Sequence, residues 1–197
     1  RLSGIVEGDY LMTVTGKAHS LTRKPIRIVE GKRIDGTMAL PPIPPYLELY
    51  ASQHIFSPLE APKMQLKGFV GKGDLKFSVY RLDFDKMVAK GDLYTALSPL
   101  AYPNYQTKKL TDPATVGSQV ETWTQEPAAR DVEGVFVESL DLKALPEGFY
   151  WFQAKGGGQV AGTWLAVSKV GLVGKAVGND TLAFVTDLQT GEPIPGA

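Results

Sequence analysis

The sequence predicts an all-β fold, an antiparallel β-sandwich with at most one short helix. Three observations carry this prediction. Short runs rich in β-branched and aromatic residues recur along the chain and are separated by turn residues. Apolar residues at helical spacing are nearly absent. The 21 glycines and 14 prolines among 197 residues suit many strands joined by turns.

The predicted core is organised around an aromatic hairpin. Two strand-like runs, residues 149–154 and 163–167, flank a turn built on the glycines at 156–158. Glycine adopts positive φ without steric cost, so the chain can reverse direction there. Trp151 and Trp164 lie one on each arm. Because this hairpin carries so much aromatic area, we expect it at the centre of the sandwich.

Residues 1–45 are predicted to form an N-terminal β segment and a proline-rich linker. Strands are expected at 10–15 and 25–30, with 4–6 as a candidate third strand. The Asp35-Gly36 dipeptide predicts a hairpin turn within the loop 30–37. The four prolines between residues 38 and 46 fix φ and favour an extended linker over a ligand for a proline-binding module.

Residues 46–169 are predicted to form one sandwich domain. The strand candidates are residues 47–51, 64–70, 74–82, 119–125 and 135–142, followed by the aromatic hairpin. Leu75, Phe77 and Val79 alternate with polar neighbours, which predicts a half-buried strand. A short helix is expected at 84–89, and 97–117 is expected to be a long loop.

Residues 170–197 are predicted to be the first strands of a following, truncated domain. The strand candidates are 167–177 and 181–188, and a turn at 189–197 ends the chain. Two strands bury too little apolar surface to be stable alone. We therefore expect a fragment of a longer protein, with these strands docked on the preceding domain or on a partner chain.

Composition excludes several functions. Lysine and arginine total 21 and so do aspartate and glutamate, so no strong field favours binding of nucleic acid. The basic residues Arg23, Lys24 and Arg27 are therefore interpreted as a solvated strand face. No cysteine is present, which excludes disulfides, thiolate metal sites and thiol nucleophiles within this chain. No apolar run approaches the ~20 residues of a membrane-spanning helix.

Few residues form patterns that carry chemistry. His19 and His54 lack metal-ligand spacing, and Asp83 and Asp85 are a carboxylate pair that strand alternation would place on one face. The glycines at 68, 71 and 73 lead from strand to strand, so the helix N-terminus of a phosphate loop is missing. Residues 179–181 match a glycosylation sequon. We expect no catalytic, cofactor-binding or metal-binding residue, and no cofactor.

Two other functions stay open from the residues alone. A carbohydrate-binding or adhesive module would use exposed aromatic rings, with Trp123, Trp151, Trp164 and the tyrosine-rich stretch 94–105 as candidates. Alternation along the strands favours core packing for at least Trp151 or Phe152. A glycoside-directed enzyme would need a pocket with two carboxylates of perturbed pKa, and no spacing singles out such a pair.

The second half of the chain resembles the junction between two macroglobulin-like domains of the alpha-2-macroglobulin family, especially its bacterial members. Leu145, Pro146, Gly148 and Tyr150 match a Leu-Pro-x-Gly-x-Tyr turn that ends a strand. A strand closing the domain follows at 163–168. The next domain then opens with a strand pair that ends in an Asp-Leu-x-Thr-Gly-x-Pro-x-Pro-Gly turn, here 187–196. Residues 55–62 and 75–88 are similar to the opening of such a domain.

The resemblance covers about three quarters of the chain and implies a macroglobulin-like, immunoglobulin- or fibronectin-like sandwich. It implies a structural, non-enzymatic role in a broad-spectrum protease trap, in which a protease cuts a bait segment and a Cys–Gln thioester captures it. The chain has no cysteine, so that thioester is expected outside it. Implied partners are other domains of the same parent and, through the parent, target proteases. The implied location is periplasmic or extracellular, with membrane attachment only through a lipid anchor outside this chain.

Overall fold

The computed structural model describes residues 4–89, 93–102, 110–127, 129–178 and 180–196. Within these ranges the chain forms twelve strands, two α-helices and one 3₁₀ turn. The elements in order are β1 (Gly8–Gly16), β2 (His19–Ile28), β3 (Tyr46–Ala51), β4 (Ile55–Phe56), β5 (Lys63–Phe69), β6 (Leu75–Leu82), α1 (Phe84–Val88), α2 (Leu93–Ala101), the 3₁₀ turn Pro113–Thr115, β7 (Gly117–Gln125), β8 (Phe136–Asp141), β9 (Gly148–Gly156), β10 (Gln159–Val167), β11 (Val170–Val177) and β12 (Asp180–Asp187).

Two sheets pack face to face to form a sandwich, which confirms the predicted all-β class. The larger sheet has five strands in the order β4-β10-β9-β6-β7, and the smaller has three in the order β3-β5-β8. All neighbouring strands are antiparallel except the short β4, which runs parallel to β10. The predicted central hairpin is β9 and β10, paired without a register shift from Gly148 to Val167.

The core between the sheets follows the strand alternation. Leu66 and Phe136 of the smaller sheet meet Val79, Phe152 and Leu165 of the larger one, and all five are almost fully buried. Every second residue of these strands points to the same side, so the apolar set of each strand reaches one common layer.

The larger sheet is also covered on its outer face, which corrects the prediction of a half-buried β6. Tyr80 and Leu82 of β6 pack with Trp151 of β9 against a helical layer that includes Met87 and Leu100. The stretch 97–117 was predicted as a loop, but α2 occupies its start. Pro99 lies inside α2, and a proline normally argues against a helix, so no helix is predicted here from the sequence. The apolar residues at 96, 97 and 100 have helical spacing, and their side chains cover the outer face of the sheet. The chain therefore has a second helix.

The N-terminal residues form a separate hairpin, β1 paired with β2. Its turn lies at Lys17 and Ala18, so the turn predicted at Asp35-Gly36 is wrong, and residues 4–6 form no strand. The prolines after residue 40 lack the backbone N–H that a pairing strand needs, so no strand exists to complete a hairpin around Asp35. The linker contacts the hairpin near its tip, through backbone hydrogen bonds from Ile43 N to Ala18 O and from Ser20 N to Pro41 O.

The last two strands form another separate hairpin, β11 paired with β12. The strand predicted from 167 to 177 is interrupted at Ser168, whose hydroxyl accepts a hydrogen bond from Val170 N. Leu172 is 70% exposed and Leu182 is 67% exposed. The expected docking of these strands on the preceding domain is therefore wrong for the described residues. Docking on a partner chain stays a prediction, as do the domain boundaries at 45–46 and 169–170.

Candidate functional site

The turn before β9 is held by a buried tyrosine. The Tyr150 hydroxyl donates a hydrogen bond of 2.8 Å to the carbonyl oxygen of Pro146, four residues upstream. This arrangement is that of the tyrosine corner in immunoglobulin-like sandwiches. It gives the Leu-Pro-x-Gly-x-Tyr motif a physical role. Burial raises the pKa of Tyr150, and the nearby charge of Arg81 acts in the opposite direction.

The same turn connects the sandwich to the C-terminal hairpin through Glu147. Its Oε1 accepts the backbone N–H of Lys169 at 2.9 Å, and its Oε2 lies 3.7 Å from the Lys169 ammonium. Arg81 donates to the Glu147 carbonyl oxygen at 2.9 Å. The Lys169 carbonyl oxygen in turn accepts from Leu188 N at the end of β12. Glu147 therefore fixes the residues between β10 and β11 by polar contacts.

The turn after β12 is organised by one carboxylate. Asp187 Oδ1 accepts the backbone N–H groups of Gln189 and Thr190 at 2.8 and 2.9 Å. These two hydrogen bonds lower the pKa of Asp187, first that from Thr190 and then that from Gln189. The backbone bond from Ile194 N to Val185 O then folds the chain back along β12. The Asp-Leu-x-Thr-Gly motif is thus a carboxylate-capped turn.

The tip of the N-terminal hairpin rests on a third turn, residues 131–134. Asp131 Oδ2 accepts from Lys17 Nζ at 3.2 Å, and Glu133 Oε2 accepts from Ala18 N at 2.7 Å. His19 Nδ1 lies 3.7 Å from the same Glu133 oxygen. Ala18 is buried at this contact. We call residues 131–134 the hairpin seat.

The hairpin seat is attached to the sandwich by Arg130. Its guanidinium donates to the carbonyl oxygens of Val70 and Gly71 at 2.8 and 3.1 Å, and lies 4.9 Å from the ring centre of Phe136. Sequence reasoning missed this group. The Asp131–Gly134 turn, with Gly134 at φ +91, was the one local signal.

The histidines and paired aspartates predicted from sequence do not form a site. His19 lies at the hairpin seat, whereas His54 stacks on Trp164 with ring centres 4.3 Å apart. Among the described residues no group of three or more His, Asp or Glu could hold a metal ion. Asp83 and Asp85 do not share a strand face. Asp83 caps α1, where the hydrogen bond from Lys86 N lowers its pKa, and Asp85 lies in the first turn.

The other sequence motifs have structural positions. Gly68 lies in β5, where a Cβ would come within 2.6 Å of the Phe136 ring, so glycine allows the two strands to approach closely. Gly71 and Gly73 connect β5 to β6. Arg23 and Lys24 lie on exposed β2, and Arg27 is 3.8 Å from Asp9. Asn179 of the sequon lies outside the described residues.

The three tryptophans do not form a common platform. Trp151 is 1% exposed in the outer core. Trp164 stacks with two rings, those of His54 at 4.3 Å and Phe149 at 5.2 Å between ring centres. Trp123 stacks on Phe77 at 5.0 Å at the far edge of the sheet. Tyr94 and Tyr102 are exposed, and residues 103–109, with Tyr105, lie outside the described ranges.

Two shallow cavities lie along the edge strand β7. One has a volume of about 320 Å³ and is lined by Glu121, Trp123, Gln125 and residues 139–143. We call it the β7–β8 cleft, since it opens between these two edge strands. The other, of about 300 Å³, lies between the end of β6, the start of α1 and the start of β7. The β7–β8 cleft contains the carboxylates of Glu121 and Asp141, and no aligned nucleophile and base accompany them.

We expect Tyr150→Phe to destabilise the chain by about 0.5–1.5 kcal/mol, because the carbonyl oxygen of Pro146 loses its hydrogen bond. Tyr10→Phe is the matched control. Tyr10 makes the same bond to a carbonyl four residues upstream, Val6 O at 2.8 Å, but in an exposed hairpin. Its loss is expected to cost less than about 0.5 kcal/mol in urea titration.

Tyr150 should also affect how the stability of the chain changes at alkaline pH. Its pKa is raised above the ordinary 10.0 in the folded state, so the folded state holds the phenol proton more tightly. The stabilisation from this group is complete below pH 10 and is lost as the pH rises through the higher folded value. Tyr150→Phe should lack this part of the pH slope. Identical slopes above pH 10 in both proteins would contradict the assignment.

Asp131→Asn should loosen the N-terminal hairpin. Asparagine keeps an acceptor for the N–H groups of Glu133 and Val135 but loses the charge that attracts Lys17. We expect amide exchange at the β1–β2 tip to become about two- to fivefold faster. Asp9→Asn, which removes an equally simple ion pair with Arg27 inside the hairpin, should leave the tip unchanged.

Acid should have the same effect on the wild-type chain. Burial tends to raise the pKa of Asp131, but the hydrogen bonds from Lys17 and from the N–H groups of Val135 and Glu133 outweigh it and lower the pKa below 3.8. The contribution to stability is therefore present above that value and is lost as the pH falls through the folded pKa. Tip amides that keep the same protection, relative to the exchange of an unprotected amide at each pH, down to pH 2 would show that Asp131 does not hold the hairpin.

Comparison with known proteins supports the fold. No protein-family model matches the sequence, and no curated protein matches it. None of the helices in the described ranges is long and apolar enough to cross a membrane. Among solved structures, the native alpha-2-macroglobulin fragment from Escherichia coli spanning domains MG0-NIE-MG1 has a TM-score of 0.53 at 11% identity, covering 94% of this chain and 58% of that chain.

Two further solved structures are less similar. The Escherichia coli alpha-2-macroglobulin fragment spanning NIE-MG1 gives a TM-score of 0.49 at 14% identity, covering 76% of this chain and 73% of that chain. The bacterial hydrophobin BslA gives 0.28 at 18% identity, covering 62% and 98%. The chain, which spans 58% of the MG0-NIE-MG1 fragment, is thus similar in fold to domains of a bacterial alpha-2-macroglobulin.

Proposed function

We propose that the chain is a non-catalytic structural part of a bacterial alpha-2-macroglobulin-like protease inhibitor. In this role it positions the bait segment and any thioester, both of which lie outside it. The observation that carries the proposal is the fold likeness to the MG0-NIE-MG1 fragment over 94% of the chain. The tyrosine corner at Tyr150 and the capped turn at Asp187 support it, because they give physical roles to two motifs of the family resemblance.

The proposed mechanism is mechanical. The larger sheet is buried on both faces, so the sandwich is expected to move as a rigid body. Each hairpin is joined to it in part by a surface ion pair, Lys17 with Asp131 for the N-terminal hairpin and Lys169 with Glu147 for the C-terminal one. Such contacts contribute little stability and are exchanged at low cost. A rearrangement triggered by cleavage elsewhere could therefore turn the hairpins against the sandwich.

The partners and location belong to the same proposal. The partners are other domains of the same parent and, through the parent, target proteases, and nucleic acid is not a partner. The location is periplasmic or extracellular, and a lipid anchor outside this chain is the only route to the membrane. The net charge of zero supports the absence of nucleic acid among the partners.

A protease-protection assay on the full-length parent tests this function. The parent is mixed with a protease, and cleavage of a large protein substrate is compared with cleavage of a small peptide substrate. A trap encloses the protease, so the large substrate should be protected while the small one is still cut. If the protease cuts the large substrate as fast with the parent as without it, the proposal is wrong. A parent gene without further macroglobulin-like repeats would also contradict it.

A further inference from the structure

The edge strand β7 has an open outer side. It ends the larger sheet, and within the described ranges no strand pairs with its outer edge, whereas the opposite edge of that sheet is covered by β4. Seven of its nine residues are exposed. The outward N–H and C=O groups of an edge strand are a template for pairing with another strand.

β7 lacks most of the devices that normally block such pairing. It contains no proline, lysine or arginine, and its single charged residue is Glu121 at the centre. The register with β6 shifts between Val79 and Tyr80, which leaves residues 121–125 as a regular pairing stretch. This length matches the usual five or six residues of a strand.

The inner side of this stretch lines the β7–β8 cleft. Glu121, Trp123 and Gln125 stand opposite the buried Val79, Phe77 and Leu75, so all three point toward the cleft. The Trp123 ring is fixed by stacking on Phe77, at 5.0 Å and nearly parallel. A strand added beside β7 would place alternate side chains over this cleft.

The charges of the cleft select the occupant. Glu121 and Asp141 line it with only Lys143 opposing them, and Glu138 beside it is held by Gln125 at 2.5 Å. We propose that β7 and the β7–β8 cleft bind an extended peptide segment of a partner. The segment adds to the sheet as a sixth strand, with a basic side chain facing Glu121 and an apolar one on Trp123. The proposal rests on the fold alone and does not depend on the protease-inhibitor function.

A second copy of the chain is a poorer occupant. Symmetric antiparallel pairing of two β7 strands about their centre would place Glu121 directly opposite Glu121. Like charges directly opposite each other destabilise a strand pair. Glu121 therefore works against self-association and in favour of a basic segment.

Two blocked nonapeptides of alternating threonine and valine test the proposal, one with arginine and one with glutamate at the centre. The full 197-residue chain is titrated with each, and amide exchange is measured by NMR. We expect new protection at alternate amides of β7. The arginine peptide should bind about threefold or more tightly than the glutamate peptide at low salt, and this preference should shrink at high salt.

Charge reversal provides the matched comparison. Glu121→Lys should reverse the preference between the two peptides. Glu30→Lys makes the same charge change at an exposed residue whose side chain has no hydrogen bond or ion pair in the described part of the chain, and it should change nothing. Both residues are exposed, so both variants should fold, which circular dichroism checks.

Other results would overturn the proposal. Protection at β8 or at β11–β12 instead of β7 would do so, as would equal binding of both peptides by the wild-type chain. Protection of β7 that grows with protein concentration without peptide would mean that a second copy is the occupant. Cellohexaose that quenches Trp123 fluorescence, with no response to either peptide, would mean that the cleft binds sugar rings.

Discussion

Gly162→Ala is expected to destabilise the sandwich by about 1–3 kcal/mol, because the outer core has no room for one methyl group. A Cβ at this position would overlap the Trp151 ring, coming within 2.6 Å of Cε2, and would lie 2.9 Å from the carbonyl oxygen of Phe152. The ring cannot easily move aside, since it is 1% exposed among Tyr80, Leu82 and the helical layer. Urea titration measures the loss.

The Trp151 ring makes this position sensitive because packing alone holds it. Its indole N–H has no hydrogen-bond partner among the described residues, so no polar contact helps to hold the ring in place. Combining Gly162→Ala with Trp151→Phe should therefore cost less than the sum of the single changes, by about 0.5–3 kcal/mol. Strict additivity would mean that the methyl group meets something other than the ring.

Gly174→Ala is the matched control. Gly174 is also a strand glycine, but a Cβ there would have no atom within 4 Å. Alanine lowers the backbone entropy of the unfolded chain, so this change should be neutral or stabilising by up to about 1 kcal/mol. Equal losses at both positions would contradict the packing explanation.

The larger elements could be predicted from sequence because their side chains alternate. The aromatic hairpin, with residues 149–154 paired to residues 161–166, is formed as expected, since its apolar arms and its glycine turn specify the same register. The same alternation misled at β6. Its polar-looking face contains Ser78 and Tyr80, and both are buried, Tyr80 against the helical layer to which α2 belongs. Local pattern cannot reveal a cover supplied by a distant element.

The contacts of the hairpin seat were beyond prediction for a related reason. Lys17 and Asp131 are 114 positions apart, and each is an ordinary surface residue in its own segment. The turn at Asp35-Gly36 shows the opposite error. Its local signal was strong, but a hairpin needs a second strand, and the prolines that follow cannot supply the donors.

The edge strand β7 could likewise be predicted only in part from the sequence. The composition of β7, with one charge and no proline, could be read from the sequence. Its position at the end of a sheet, beside a cleft with Glu121 and Asp141, required the order of the strands. The sequence left open a binding platform made of all three tryptophans. Trp151 and Trp164 are covered by other side chains, so only Trp123 lies at the proposed peptide site.

Leu165→Ala should be among the most costly single truncations, at about 2–5 kcal/mol. Leu165 is 0% exposed in β10, and its side chain packs in the layer between the two sheets. Truncation removes buried methyl groups and leaves a cavity that the neighbouring strands β9 and β3 cannot close without breaking their own packing. The urea midpoint should fall without a change in the slope of the transition.

Leu172→Ala is the matched control for Leu165→Ala. Leu172 is the same residue type on the neighbouring hairpin, but it is 70% exposed, so its truncation should change the stability by less than about 0.5 kcal/mol. A large loss at Leu172 would mean that β11 and β12 fold as one cooperative unit with the sandwich. A small loss at Leu172, beside a large one at Leu165, would show that burial between the two sheets decides the cost of truncating a leucine.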